Sequence, residues 1–216
     1  MKVLSIHVGL PRALALETGE LLTGGAKAEA TEALLGFEGF EGDAVADRLH
    51  HGGADRSACV YPAAHYAWWK SELGYGLSFG GFCENLSVEG LLEADVRIGD
   101  ILRVGEALAQ ISLPRDPCKT IDRLAGIPGL HRIAKERGKC GFHMRTLEAG
   151  RVRVGDGFEL VQRNTEGISV AAVLDLYHGR SRDGELYRRL LGMAEFADEG
   201  KLYLAKRLGF SEAGFG

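Results

Sequence analysis

Glycine falls at close intervals through this chain, and the apolar runs between glycines are short. The 31 glycines in 216 residues leave little room for long helices and favour strands joined by tight turns. The stretch from Arg97 to Glu106, R-I-G-D-I-L-R-V-G-E, reads as strand, turn, strand, turn. Ala107 to Leu113 then alternates, with Ala107, Ala109, Ile111 and Leu113 on one side. Arg151 to Val161 repeats the strand, Gly-Asp, strand theme. The N-terminal M-K-V-L-S-I-H-V alternates too, and predicts a strand with Leu4, Ile6 and Val8 on one face. Many short strands with Gly-rich turns predict a mostly antiparallel β-barrel or sandwich rather than a βαβ fold.

Two helical interruptions are expected before residue 165. One spans Pro62 to Leu73, where Tyr66, Trp69 and Leu73 recur at i, i+3 and i+7 and Trp68 falls at the rim. The other spans Leu130 to Arg137, with Ile133 and Ala134 inward. After Thr165 the pattern becomes helical. Val170, Val173, Leu174 and Tyr177 share one face, with Ser169 or Thr165 as cap. Leu186, Leu190 and Met193 share a second, and Leu202 to Leu208 supplies a third, lysine-bearing run. The expected architecture is therefore a β domain over residues 1–164 and a small three-helix subdomain over 165–216, too poor in apolar surface to stand alone. Gly209 to Gly216 are expected to fray.

With 26 Lys and Arg against 30 Asp and Glu, the formal net charge is −4. That balance argues against a general nucleic-acid or anionic-membrane binder, so any basic cluster is local and aimed at a small anion. No run is long and apolar enough to span a bilayer, and the N-terminus lacks the features of an export signal. Cys59, Cys83, Cys118 and Cys140 form no C-x-x-C pair, which matches neither a structural zinc site nor a disulfide scaffold. The expectation is a cytoplasmic protein with reduced thiols.

Three segments carry chemistry. In P-R-D-P-C-K, residues 114–119, two prolines stiffen a loop at a strand end and hold Cys118 between Arg115 and Lys119. Nearby cations favour thiolate, the form that ligates metals or attacks electrophiles; a half-buried structural cysteine is the plainer alternative. The segment from Gly42 to Arg56 combines His50 and His51 with Gly52-Gly53 and with Arg48 and Arg56. Its glycines admit a ligand close to the backbone and its arginines suit phosphate. Two histidines adjacent on an extended chain point apart and rarely share one metal ion; a polar turn is the plainer reading. The third segment, G-G-F-C-E-N-L at 80–86, is weak alone.

In this order the segments strongly resemble the MOSC domain family. The run G-D-x4-R-x-H-H-G-G-x-D-R is followed by E-N-L, G-D-I-L-R-V-G and P-R-x-P-C. Tyr61-Pro62-x-x-His65-Tyr66 and the three-helix tail are similar to the stand-alone bacterial YiiM-like branch. The resemblance covers nearly the whole chain and implies a mostly β, barrel-like fold. It implies Cys118 as molybdenum or sulfur ligand and catalytic centre, with Arg48, His51, Arg56, Asn85 and Arg115 lining the pocket of a molybdenum cofactor (molybdopterin) beside Gly52 and Gly53. It also implies reduction of small N-hydroxylated compounds, including hydroxylaminopurine-type base analogues. Electrons would come from a separate reductase, since the chain has no Rossmann fingerprint and no iron–sulfur spacing. A persulfide carrier on Cys118 and a non-enzymatic cofactor-binding module are the alternatives. Two positions depart from the family: Cys83 stands where glycine usually precedes Glu-Asn-Leu, and Leu113 where glutamine commonly precedes Pro-Arg.

Overall fold

The computed structural model describes residues 1–208; the expected fraying of Gly209 to Gly216 lies outside the described residues. Among these described residues thirteen strands form in chain order. The first six are β1 (Lys2–Val8), β2 (Arg12–Leu16), β3 (Gly19–Thr23), β4 (Ala28–Ala30), β5 (Glu32–Gly36) and β6 (Gly39–Phe40). Then come β7 (Ala58–Pro62), β8 (Leu86–Glu89), β9 (Ile101–Val104), β10 (Ala107–Pro114), β11 (Phe142–Glu148), β12 (Gly150–Arg153) and β13 (Phe158–Gln162). Eight of them make one sheet in the order β13-β9-β10-β11-β7-β8-β1-β4, with β12-β5-β6 and the hairpin β2-β3 apart from it. Every pairing is antiparallel except β7 with β8.

The large sheet curls until its ends nearly meet. Lys2 bridges to Gly157, Val3 N–H donates to Asp156 O (3.0 Å), and Phe158 N–H donates to Met1 O (3.1 Å). No ladder joins β13 to β1 or β4 among the described residues, so the sheet is a barrel-like roll and not a closed barrel. Alternation along β1 differs from expectation. Val3 and Ile6 are fully buried while Leu4 and Val8 are half-buried, because the register with β8 shifts between Val3 and Ser5, and a bulge swaps the inward face. The two halves of Arg151 to Val161 also part company: β12 pairs with β5 and β13 with β9.

Among the described residues, seven α-helices decorate the strands: α1 (Arg48–His51), α2 (Ala63–Leu73), α3 (Thr120–Ala125), α4 (Leu130–Arg137), α5 (Val170–Tyr177), α6 (Gly184–Gly192) and α7 (Asp198–Leu208). In α2, Trp69 is fully buried and Tyr66 nearly so, whereas Leu73 is exposed. Trp68 takes the rim, with Lys139 Nζ 4.7 Å from its ring centre, a cation–π contact. These aromatics form a second core with Tyr61, Phe82, Ile121, Leu130 and Ala134. Ser169 caps α5 by accepting from Ala172 N–H (3.2 Å), and Asp183 caps α6. Val170, Val173, Leu174 and Leu204 of the tail belong to the same buried cluster as Ile6, Leu102 and Phe142 of the sheet. Tail and sheet therefore share one hydrophobic core, and most of the tail's stability comes from that packing.

Candidate functional site

The only parallel pair among the described residues sits beneath a cavity. Asn85 N–H donates to Cys59 O (2.8 Å) and Cys59 N–H donates to the Asn85 side-chain oxygen (3.0 Å). On the other side of β7, His143 pairs with Cys59. Three neighbouring strand ends thus present His143, Cys59 and Asn85 to a cavity of about 260 Å³. Its walls come from the β3–β4 loop (Thr23 to Lys27), the 43–47 loop, His51 of α1, Arg56 and the Arg115 to Thr120 loop. Gly24 lets two of these walls cross: a Cβ there would lie 1.9 Å from Ala44 O.

Cys118 follows the end of β10 in the loop expected from its prolines, and its carbonyl accepts from Ile121 N–H (3.2 Å) at the start of α3. Burial, the largest influence on its thiol, pushes the pKa up. Hydrogen bonds from the His51 side chain and from the Thr120 hydroxyl and backbone N–H outweigh burial and bring it down to about 6. The sequence expectation assigned this bias to Arg115 and Lys119; the structure assigns it to His51 and Thr120. The segment holding His51 is one turn of helix rather than extended chain. The other cavity thiols behave oppositely: burial raises Cys59, and raises Cys83 to about 12. Cys83 sits at φ 60°, a left-handed conformation that explains why glycine suits this position.

Arg115 is buried at 8 % exposure. Its Nη2 donates to Phe82 O, while Nη1 has no partner among the described residues. Burial opposes its charge, but Cys59, Cys83 and Glu84 around it raise its pKa. His143 is likewise buried at 8 %, with Nδ1 unpartnered among the described residues. Burial, then Arg56, Arg115 and His51, hold its pKa well below the ordinary histidine value, so the ring is neutral. An unpaired polar atom in an apolar place costs free energy unless something satisfies it. Arg115 Nη1 and His143 Nδ1 both belong to residues lining this cavity, as does Oδ1 of Asp116, which Lys135 Nζ faces at 2.8 Å. Lys27 is paired with Asp43, whose other oxygen accepts from the Asn85 amide (2.8 Å). Glu84 turns inward, accepting from Tyr66 OH and Ser87 OH (both 2.6 Å) and Gly80 N–H (2.8 Å); it braces the turn before Asn85.

Of the residues singled out from sequence, His51, Arg56, Asn85, Arg115 and Cys118 meet at this cavity. Arg48 points away, exposed, and faces Glu38 at 3.8 Å. Gly52 and Gly53 border a neighbouring recess of about 50 Å³, and the Gly52 N–H is already donated to Arg48 O (3.2 Å). Asn85 lines the wall with its amide fully engaged, by Cys59, His7 and Asp43. Sequence reasoning missed Lys27, Cys59, Thr120 and His143. Of these, Thr120 directly follows a quoted motif; nothing local marks His143.

Among the described residues, no group of three or more His, Cys, Asp or Glu side chains is arranged to hold a metal ion, and no helix is long and apolar enough to cross a membrane. The family model for the MOSC domain matches residues 47–159. Protein YflK of Bacillus subtilis (strain 168) is 37 % identical over 206 residues, 95 % of this chain and 93 % of that protein. Protein YiiM of Escherichia coli (strain K12) is 35 % identical over 182 residues, 82 % of this chain and 80 % of that protein. The crystal structure of YiiM from Geobacillus stearothermophilus superposes with a TM-score of 0.79 at 27 % identity, covering 96 % of this chain and 98 % of that one.

Proposed function

Since the chain belongs to the MOSC domain family, we propose that its cavity holds a molybdenum cofactor and reduces small N-hydroxylated compounds. The observation that carries this reading is Cys118, a thiol brought down to about 6 at the wall of a cavity lined by two residues with unsatisfied buried polar atoms, Arg115 and His143. A single soft thiolate with no further protein ligands suits a metal that arrives with sulfur ligands of its own, as in a pterin dithiolene. The donors of Arg56 and Arg115 suit its phosphate and ring oxygens. When bound, the cofactor supplies the two-electron chemistry that removes an N-bound oxygen as water.

The chain's own residues do the rest. His51 and Thr120 keep Cys118 anionic so that it can ligate. Arg115, buried and charged, places a fixed positive charge over the cavity floor where negative charge gathers. His143, kept neutral, offers the cavity a hydrogen-bonding ring without adding a second buried cation. Asn85, locked through Cys59, His7 and Asp43, holds the strand ends in register and does not itself reach out. Electrons come from a separate reductase, and the substrate is a small molecule.

Molybdenum and pterin analysis of protein made in cells able to synthesise the cofactor tests the reading, with Cys118→Ala alongside and hydroxylamine turnover measured with an electron donor. Stoichiometric molybdenum in wild type, lost in Cys118→Ala, supports it. Metal-free wild type carrying a sulfane-sulfur adduct on Cys118 replaces it with the persulfide carrier, and metal-loaded protein without turnover replaces it with a binding module.

A further inference from the structure

Arg56 is held from behind by a residue 143 positions further along the chain: its Nε donates to Oε1 of Glu199 in α7. With Nε engaged, the Nη1 and Nη2 fork is the part of the guanidinium left to face the cavity that Arg56 lines. Both ends of this ion pair are tied to the same strand residue. Ser112 of β10 accepts from Ala197 N–H (3.1 Å), one residue before α7 begins, and its hydroxyl donates to Asp55 O (2.6 Å), one residue before Arg56. The helix itself is seated closely. Tyr203 lies against Tyr177 of α5 with ring centres 4.5 Å apart, and a Cβ at Gly200 would come within 2.6 Å of the Phe196 ring. Side-chain exposures of 18 % and 36 % place the pair half in and half out of water, where a bond contributes modestly to stability but fixes a direction.

We propose that Glu199 is a positioning residue of the cavity: it aims Arg56 at a bound anionic group, which makes the third C-terminal helix a working part of the site. This rests on the reading above that the cavity takes an anion-bearing ligand. The sign of one measurement separates aiming from simple charge balance. Iodoacetate and iodoacetamide both alkylate a cysteine thiolate, forming a thioether and releasing iodide, and they differ only in the anionic carboxylate. Their rate ratio at Cys118, followed by mass spectrometry of its peptide in cofactor-free protein, cancels the thiolate fraction and reports how strongly the cavity attracts an anion.

Removing Glu199 deletes a negative charge, so charge balance alone predicts a higher ratio. Aiming predicts that Glu199→Ala lowers it by roughly threefold or more, toward the value of Arg56→Gln, because the freed arginine leaves the wall. Glu199→Gln, whose amide oxygen still accepts from Nε, stays at or above wild type. Should the alanine variant fail to fold, Glu199→Asp, charged but too short, carries the same test and is expected to fall. A ratio that rises or stays level in Glu199→Ala and Glu199→Asp overturns the proposal. So does an Arg56→Gln ratio equal to wild type, or a Cys118 that neither reagent reaches. Failure of the cofactor reading is separate: wild type without molybdenum or turnover leaves this ratio as it stands.

Discussion

The thiolate at Cys118 depends on one histidine, and removing that histidine has a calculable effect. With a pKa of about 6 against an ordinary 9.0, roughly nine-tenths of the thiol is ionised at pH 7, compared with about one-hundredth for an unperturbed cysteine. His51 lowers the value both by hydrogen bond and by charge, and Thr120 lowers it through its hydroxyl and its backbone N–H, all against burial. His51→Ala is expected to move the midpoint up by about two units, reducing the thiolate at pH 7 to about one-tenth. Thr120→Val keeps the backbone bond and shifts the midpoint by about half as much. The assay is the pH profile of iodoacetamide alkylation at Cys118. A roughly tenfold fall in rate at pH 7 is the upper bound, because a more basic thiolate is also a better nucleophile. A profile in His51→Ala still centred near 6 would refute the reasoning. The linkage has a definite sign. The folded pKa lies below the unfolded one, so this group's contribution is complete above about pH 9 and disappears as pH falls to about 6. Over that window wild type gains stability with rising pH relative to Cys118→Ala, whose urea midpoints lack this component.

Three further outcomes are expected. Cys118→Ser should lose bound molybdenum and N-hydroxyl reduction, since a hydroxyl is neither soft nor anionic at neutral pH, while its Tm stays within ~3 °C of wild type; near wild-type turnover per bound metal counts against the proposed function. Glu93 is buried, accepts from His65 (2.9 Å) and from Cys140 and Gly141 N–H (3.1 and 2.7 Å), and Gly141 O in turn holds Arg115 N–H (3.1 Å). Glu93→Ala should therefore cost roughly 3 kcal/mol in guanidinium unfolding, by orphaning those donors; a loss under ~1 kcal/mol contradicts that. Cys83→Gly relieves a left-handed residue at φ 60° and should match or exceed wild-type stability by up to about 1 kcal/mol. A drop beyond ~2 kcal/mol would mean that the side chain's packing outweighs the strain.

In β10, Ala107, Ala109, Ile111 and Leu113 are inward as the alternation implies, and Ser112 and Pro114 are buried as well, so the strand was legible although its far end is covered on both faces. The capped helix α5 was legible from its periodicity, with Ser169 marking its start. In β1 the alternation misled, since a bulge is set by the partner strand and leaves no local mark. The cavity shows the same division. Cys118 stood out because prolines and flanking charges are neighbours in sequence, yet the groups that tune it, His51 and Thr120, depend on how distant loops pack. Arg48 and Arg56 look equivalent in one motif, but α1 directs Arg48 to solvent and the turn at 54–56 directs Arg56 inward. His143 and Glu199 carry no signal of their own, because their relevance exists only once β11 and α7 are in place.

The near-closure of the curled sheet has a kinetic side. The backbone bonds of Met1 and Val3 reach Phe158 and Asp156, so this end of β1 completes its pairing only with residues far along in sequence. Its ladder partners divide in the same way: β4, at Ala28–Ala30, is close in sequence and pairs with Ile6 to Val8, whereas β8 begins only at Leu86. Loop closure over such spans is entropically costly and slow. The N-terminal half of β1, which β4 does not cover, is the part most open to pairing with another chain until those spans close. Refolding is thus expected to show its slowest phase at β1, and amide protection at Val3 and Phe158 to appear after that of the β9–β10 hairpin, whose ends lie only a turn apart.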